Sequence, residues 1–320
     1  MSDALKLLQS FLQPKGFPSV PSDWSSQGER VPGARPNPDL FSLTLRSPEA
    51  SNPYRILAVI HGQGEHLGRY LHFPHYLRDA VQQVSLFDLR GHGRSEGLRG
   101  HIDRFDEYVD DAAAFIGSLV GRAQKEGVTR GAPVELHLFG HSMGGLIALR
   151  LLLSRPELAF ASATVCGPLL ALKLKVPAAK QLAAYGLAHL WGNLQLSSDL
   201  DPETLSTDVA VQEAYQRDRL VHNKATPRFF VELKAAMADT LSRKGGYKTP
   251  LQFLIAMKDT IEDPDVVLSY AREVDLGDKE IRTYAEFRHE SFNEIGKEAP
   301  FEDSKRWILR HSKSANGSKG

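Results

Sequence analysis

Val134-Glu135-Leu136-His137-Leu138-Phe139-Gly140-His141-Ser142-Met143-Gly144-Gly145-Leu146-Ile147-Ala148-Leu149 changes its pattern half-way along. Val134 to Phe139 is a short run suited to a strand, and Gly145 to Leu153 continues as a helix-length apolar run. Between them stands Gly140-His141-Ser142-Met143-Gly144, a G-x-S-x-G pattern that carries meaning only between a strand and a helix. A turn that sharp strains the backbone of its central residue and leaves no room for side chains beside it. Glycines two before and two after relieve the crowding. The turn would lift the Ser142 hydroxyl to the carboxyl edge of a sheet, where α/β folds place their ligands. The following helix offers free N–H groups and a positive dipole end to a developing oxyanion. Ser142 is the expected nucleophile.

Outward from this turn, short apolar runs alternate with helical ones. Arg55 to Ile60 reads as a strand buried on both faces, and Phe41 to Leu45 as a half-exposed one. Val84 to Phe87, Ala161 to Val165, Leu251 to Ala256 and Ile281 to Phe287 are further strands, with helices such as Phe105 to Ala123 between them. That alternation predicts an α/β architecture with a mostly parallel sheet and helices on both faces. The expected division is an arm at 1–38, core at 39–167 and 249–313, an all-helical cap at 168–248, and a disordered tail at 314–320. The arm opens on a short amphipathic helix (Leu5, Leu8, Leu12). Six prolines between 14 and 38 then suggest an extended path. The cap has helix-start signals at Asp201-Pro202 and Thr226-Pro227 but no strand run.

A serine hydroxyl needs a base held against it. Where the nucleophile sits on a strand-to-helix turn, the chain order is Ser, acid, His. Of twelve histidines, His289 follows the strand Ile281 to Phe287 and meets both order and edge criteria, with His311 in the final helix as the remaining alternative. His141 is expected to point its ring away. Asp259 follows the strand Leu251 to Ala256 by three residues and would hold one imidazole tautomer, with Glu262 and Asp263 as competitors. His61-Gly62-Gln63-Gly64 follows Ile60, so the Gln63 N–H is expected to pair with that of Met143 in an oxyanion hole. Asp88-Leu89-Arg90-Gly91-His92-Gly93-Arg94-Ser95 lacks the lysine and spacing of a nucleotide loop and reads as a structural turn.

Composition narrows the function further. Across 320 residues, 39 basic side chains balance 39 acidic ones, so no net field recruits nucleic acid. The single cysteine, Cys166, lies in an apolar run and is expected to be buried and inert. The first residues do not read as a signal peptide, and the most apolar stretch, Val176 to Leu196, is broken by Lys180, Gln181, His189 and Asn193. A cytoplasmic protein is the expectation.

Taken together, these motifs resemble the monoacylglycerol lipase and lysophospholipase branch of the α/β-hydrolases. The resemblance rests on His61-Gly62-Gln63-Gly64-Glu65-His66 with Arg69-Tyr70, and on Asp88-Leu89-Arg90-Gly91-His92-Gly93-Arg94-Ser95. Gly140 to Gly145, His289-Glu290 with Asn293-Glu294, and the cap residues Leu200-Asp201-Pro202 and Leu220-Val221-His222 complete it. It implies the α/β-hydrolase fold and cofactor-free hydrolysis of a monoacylglycerol or lysophospholipid ester. The implied triad is Ser142, Asp259 and His289, with oxyanion donors on Gln63 and Met143. The cap is expected to touch a membrane peripherally, and Glu65, Arg69, Leu187 and Trp191 are the expected substrate contacts. Four positions depart from the family pattern: Gln63 replaces a small residue, Ala256 a glycine, Glu262 an apolar residue and Arg219 a proline. An amino-terminal peptidase, an amidase and a short-chain carboxylesterase are the competing enzyme classes.

Overall fold

The computed structural model describes residues 3–35, 37–173, 178–197 and 200–313. The expected tail at 314–320, together with Pro36, Lys175 and Val176, lies outside the described residues. In chain order the strands are β1 (Ser25–Pro32), β2 (Asp39–Arg46), β3 (Tyr54–Ile60), β4 (Gln83–Phe87) and β5 (Val134–His141). They continue with β6 (Phe160–Cys166), β7 (Leu196–Ser197), β8 (Lys224–Ala225), β9 (Leu251–Ala256) and β10 (Lys279–Tyr284). The helices α1 (Asp3–Gln9), α2 (Phe73–Leu77), α3 (Asp106–Lys125) and α4 (Met143–Ser154) precede β6. After β6 come α5 (Ala178–Leu190), α6 (Val209–Arg217), α7 (Pro227–Ser242), α8 (Pro264–Glu273) and α9 (Glu298–Arg310).

Eight strands form one sheet in the order β1-β2-β4-β3-β5-β6-β9-β10. Strand β2 runs antiparallel to both β1 and β4, and the pairs from β4 to β10 are parallel. Strand alternation divides the core in two. Ile56, Ala58 and Ile60 pack in a cluster with residues of α3, α4 and α8, while Leu57 and Val59 pack on the other face with residues of α2 and α9. Burying each of these Ile, Leu and Val side chains is worth about 1.5–3 kcal/mol, so a slip of one residue in β3 would leave both faces mispacked.

Three expectations change. The stretch read as an extended arm contains β1, which pairs with β2 over its whole length from Ser25↔Arg46 to Pro32↔Asp39. Its sequence, Ser-Ser-Gln-Gly-Glu-Arg-Val-Pro, has no apolar alternation because it is an edge strand with both faces largely wet. Strand β10 ends at Tyr284, ahead of Phe287, and is mostly half-exposed. The segment between β6 and β9 is not wholly helical, since β7 and β8 form a two-stranded antiparallel ribbon.

Candidate active site

Strand β5 delivers Ser142 to the carboxyl edge of the sheet with φ +53° and ψ −119°, a conformation that an L-residue adopts only when its surroundings impose it. The surroundings are specific. Ser142 N–H donates to the Cys166 carbonyl at 3.0 Å, and the Ser142 carbonyl accepts from Leu169 N–H at 3.0 Å and Leu146 N–H at 3.1 Å. A Cβ on Gly140 would lie 2.4 Å from the Gly144 carbonyl, and one on Gly144 only 2.2 Å from the Ile60 carbonyl. Both glycines are therefore required for α4 to leave the strand so abruptly.

At the end of β9 the chain turns through Asp259, which is fully buried. Its Oδ1 accepts from the N–H groups of Ile261 (2.8 Å) and Glu262 (3.1 Å), and its Oδ2 accepts from His289 Nδ1 at 2.6 Å. Those two loop N–H groups aim the carboxylate, and the carboxylate selects the imidazole tautomer whose Nε2 is free to accept a proton. Burial alone would depress the His289 pKa. The charge and hydrogen bond of Asp259, with the Glu290 charge behind it, outweigh burial and raise it to about 9. Burial pushes the Asp259 carboxyl upward, but the His289 pairing and the two loop N–H groups hold it below its usual value. Of the competing acids, Asp263 instead accepts from Asp265 N–H at 3.1 Å and caps α8. Glu262 points inward beside Asp259. Asp259, Glu262 and His289 form the one group among the described residues whose side-chain types and spacing, within 4.8 Å, would suit a metal ion. The His289–Asp259 bond already engages two of its atoms.

The loop after β3 lies against Ser142: a Cβ on Gly62 would be 3.2 Å from Ser142 Cβ. Glu65 braces that loop, its Oε1 accepting from Gly62 N–H at 2.6 Å and from the Tyr70 hydroxyl at 2.7 Å. Arg69 joins Glu65 (3.2 Å) to Glu290 (2.5 Å), and Tyr215 of the cap covers its guanidinium at 5.0 Å. This buried network ties the Gly62 loop to the residue beside His289; the sequence motifs contain all three side chains but not their meeting. Arg69 is a brace and is not among the residues facing the cavity. Gln63 faces the cavity, but its amide spans from the Lys224 carbonyl (3.2 Å) to His92 Nε2 (3.0 Å). Asp88 accepts from Leu67 and Arg94 N–H groups, as a structural turn requires, whereas Arg90 pairs with Glu107 and Asp111.

Ser142, His289, Gln63 and Glu65 share a cavity of about 280 Å³, walled by Leu169, Leu172, Leu205, Tyr215, Phe229, Leu233 and Ile261. Two expectations are corrected. The His141 ring faces this cavity, 4.8 Å from the His289 ring, because its Nδ1 is drawn to the Cys166 carbonyl at 3.2 Å. Leu187 and Trp191 are absent from the wall: Leu187 is half-buried at the end of α5 and Trp191 is 68% exposed. On the cap side the apolar wall comes from α7 and the segment around Leu205 instead. Cys166 is buried, and that burial raises its thiol pKa far above the ordinary value.

Residues 51–296 match a family model described as "Serine aminopeptidase, S33" (Hydrolase_4). The chain belongs to this α/β-hydrolase family. It is 30% identical over 254 residues to phospholipase YtpA of Bacillus subtilis, covering 79% of this chain and 94% of that one. An uncharacterized abhydrolase domain-containing protein of Dictyostelium discoideum is 29% identical over 282 residues, and this chain spans only 28% of its length. The crystal structure of a monoacylglycerol lipase from Paleococcus ferrophilus superposes with a TM-score of 0.72 at 27% identity, covering 85% of this chain and 99% of that one. This hydrolase is thus lipase-like in family and fold. Among its described residues, no helix is long and apolar enough to cross a membrane.

Proposed function

We propose that the chain is a serine carboxylester hydrolase acting on single-chain acyl esters, monoacylglycerols or lysophospholipids. Ser142 attacks the ester carbonyl while His289 Nε2 takes its proton, and Asp259 stabilises the imidazolium that forms. The backbone N–H groups of Gln63 and Met143 receive the oxyanion. The imidazolium then returns the proton to the leaving alcohol, and a water repeats the sequence on the acyl-enzyme. One observation carries this reading: the 2.6 Å His289–Asp259 pair and the strained Ser142 turn open onto one apolar-walled cavity. Its volume of about 280 Å³ lies at the lower limit of small-molecule sites (~300–1,000 Å³) and suits one acyl chain better than two.

The family description gives an aminopeptidase as the second reading. A substrate amine would need a free carboxylate at the cavity, yet Glu65 and Glu290 are both engaged by Arg69, and Asp218 in the cap pairs with His66 at 2.8 Å. We also propose peripheral contact of the cap with a membrane through Leu182 and Leu190, exposed by 75% and 78%. A panel of monoacylglycerols, lysophospholipids, short-chain esters and aminoacyl amides tests both readings of the site. Long-chain single-acyl esters should be turned over best, and preference for the amides would replace the esterase with the peptidase.

A further inference from the structure

Glu262 is a carboxyl group without an evident structural task. Its side chain is completely buried, no donor among the described residues reaches Oε1 or Oε2, and the one side chain among them within its reach as a partner is the Asp259 carboxylate. Leaving such a group unsatisfied costs about 1–3 kcal/mol, and an apolar side chain of similar shape would avoid that cost. Its surroundings are closely packed: a Cβ on Gly167 would lie 2.3 Å from Glu262 Oε1. The carboxyl is held there by its backbone. Glu262 N–H donates to Asp259 Oδ1 at 3.1 Å, and Glu262 bridges Leu172 on the neighbouring segment. Within 4.8 Å of one another stand a Glu262 oxygen, an Asp259 oxygen and a His289 nitrogen. The groups that face it are therefore Asp259, His289 and the Cys166 thiol, with Lys173 Nζ outside, 3.2 Å from the Asp259 carbonyl.

We propose that Glu262 is a second acid for His289, poised beside Asp259 to orient the imidazole whenever Asp259 does not. The inference rests on the Ser142–His289–Asp259 reading and extends it. While Asp259 is present, burial and the Asp259 charge hold the Glu262 carboxyl well above its usual titration range, so it stays protonated and adds no second negative charge. Without Asp259 the repulsion ends; burial still opposes ionisation, but the His289 imidazolium favours the Glu262 carboxylate, which can then accept from His289 Nδ1. The imidazolium formed when Ser142 attacks would then keep a counter-charge. Glu262 acts only through His289, which makes it a positioning residue.

The test is a double-mutant cycle on the full chain. Turnover of a short-chain ester is compared for wild type, Asp259→Ala, Glu262→Gln and the double variant, with folding checked by circular dichroism and melting. Asp259→Ala should lose about 10- to 100-fold, far less than the roughly 10⁴ typical of losing a triad acid. Glu262→Gln alone should lose under about fivefold, and the double variant should fall a further hundredfold or more, a strongly non-additive result. The Asp259→Ala activity should also rise with pH through one ionisation that vanishes in the double variant. Equal activity of Asp259→Ala and the double variant, or losses that simply multiply, would overturn the proposal. Near-wild-type activity in both would instead overturn the triad reading on which it rests. If Asp259→Ala misfolds for want of its loop contacts, Asp259→Ser keeps an oxygen acceptor for the loop N–H groups without placing an amide donor against His289, and the same comparison applies.

Discussion

The core beneath Ser142 and the cap above it solve opposite problems. In the core, buried polar groups are tied in chains: the Gly62 loop to Glu65, Glu65 to Arg69, Arg69 to Glu290, and Asp259 to His289. In the cap, helix α5 turns Leu182, Tyr185 and Leu190 toward solvent, and Trp191 follows at its end. Yet residues on the inner side of the cap, Leu205, Tyr215, Phe229 and Leu233, form the cavity wall. The difference teaches where each property resides. Around His289 and the Gly62 loop most buried polar groups are paired, and the proposed chemistry needs that rigidity, because misplacing a base by about 1 Å can cost some hundredfold in rate. The cap meets the cavity through apolar side chains that need shape more than hydrogen bonds.

That contrast can be broken first at Arg69. Arg69→Met leaves Glu65 and Glu290 as neighbouring buried carboxylates without a cation, and breaking a buried pair in this way typically costs about 3–5 kcal/mol. Urea unfolding should show a loss of that size together with lower ester turnover. A change under about 1 kcal/mol would mean that the network does not hold the loop. Lys297→Ala, whose ammonium sits over the Phe17 ring at the surface, provides a control and should move the midpoint little.

The second test is pH. Only neutral His289 can accept the Ser142 proton, and its pKa is raised from 6.5 to about 9. The rising limb of kcat/KM should therefore lie above pH 6.5 and approach 9, changing about tenfold per unit below it. The stability linkage has the opposite sense. A histidine whose folded-state pKa is raised contributes stability fully below its unfolded value, and that contribution is lost as pH rises through about 9. A limb centred at or below 6.5 would show that Asp259 does not dominate the imidazole in solution.

The smallest expected effect lies on the outer face of the cap. Leu182→Ser with Leu190→Ser should reduce association with anionic phospholipid vesicles by several-fold, since each removes exposed apolar area available to a bilayer. Turnover of a dissolved short-chain ester should stay within about twofold. A parallel fall in both would mean that α5 supports the site's structure after all.

How much of this was legible in the sequence follows from the same contrast. Strands buried on both faces announce themselves as short, mostly apolar runs, so β3, β4, β6 and β9 were readable to within a residue or two. The Gly140–Gly144 turn was readable because only glycine fits against the Ile60 and Gly144 carbonyls. The edge strand β1 was hidden, as a wet, polar strand needs no apolar period. The inward turn of His141 was hidden too, because it depends on the Cys166 carbonyl of the neighbouring strand. Leu187 and Trp191 lie off the cavity for a related reason: apolar residues at helical spacing do not say which helix face is turned toward it. The Glu65–Arg69–Glu290 network joins residues more than two hundred positions apart, and no local pattern encodes that meeting.

The central claim is that Ser142 is the nucleophile of an ester hydrolase, and covalent labelling tests it most directly. Wild-type chain and Ser142→Ala are treated with a serine-reactive fluorophosphonate, and the modified peptide is identified by mass spectrometry alongside ester turnover. The account predicts one adduct, on Ser142, in the wild type. The variant should show none, and its turnover should fall at least a thousandfold while its melting temperature is retained. An adduct on another serine, or a folded Ser142→Ala variant keeping more than about a thousandth of wild-type turnover, would contradict it.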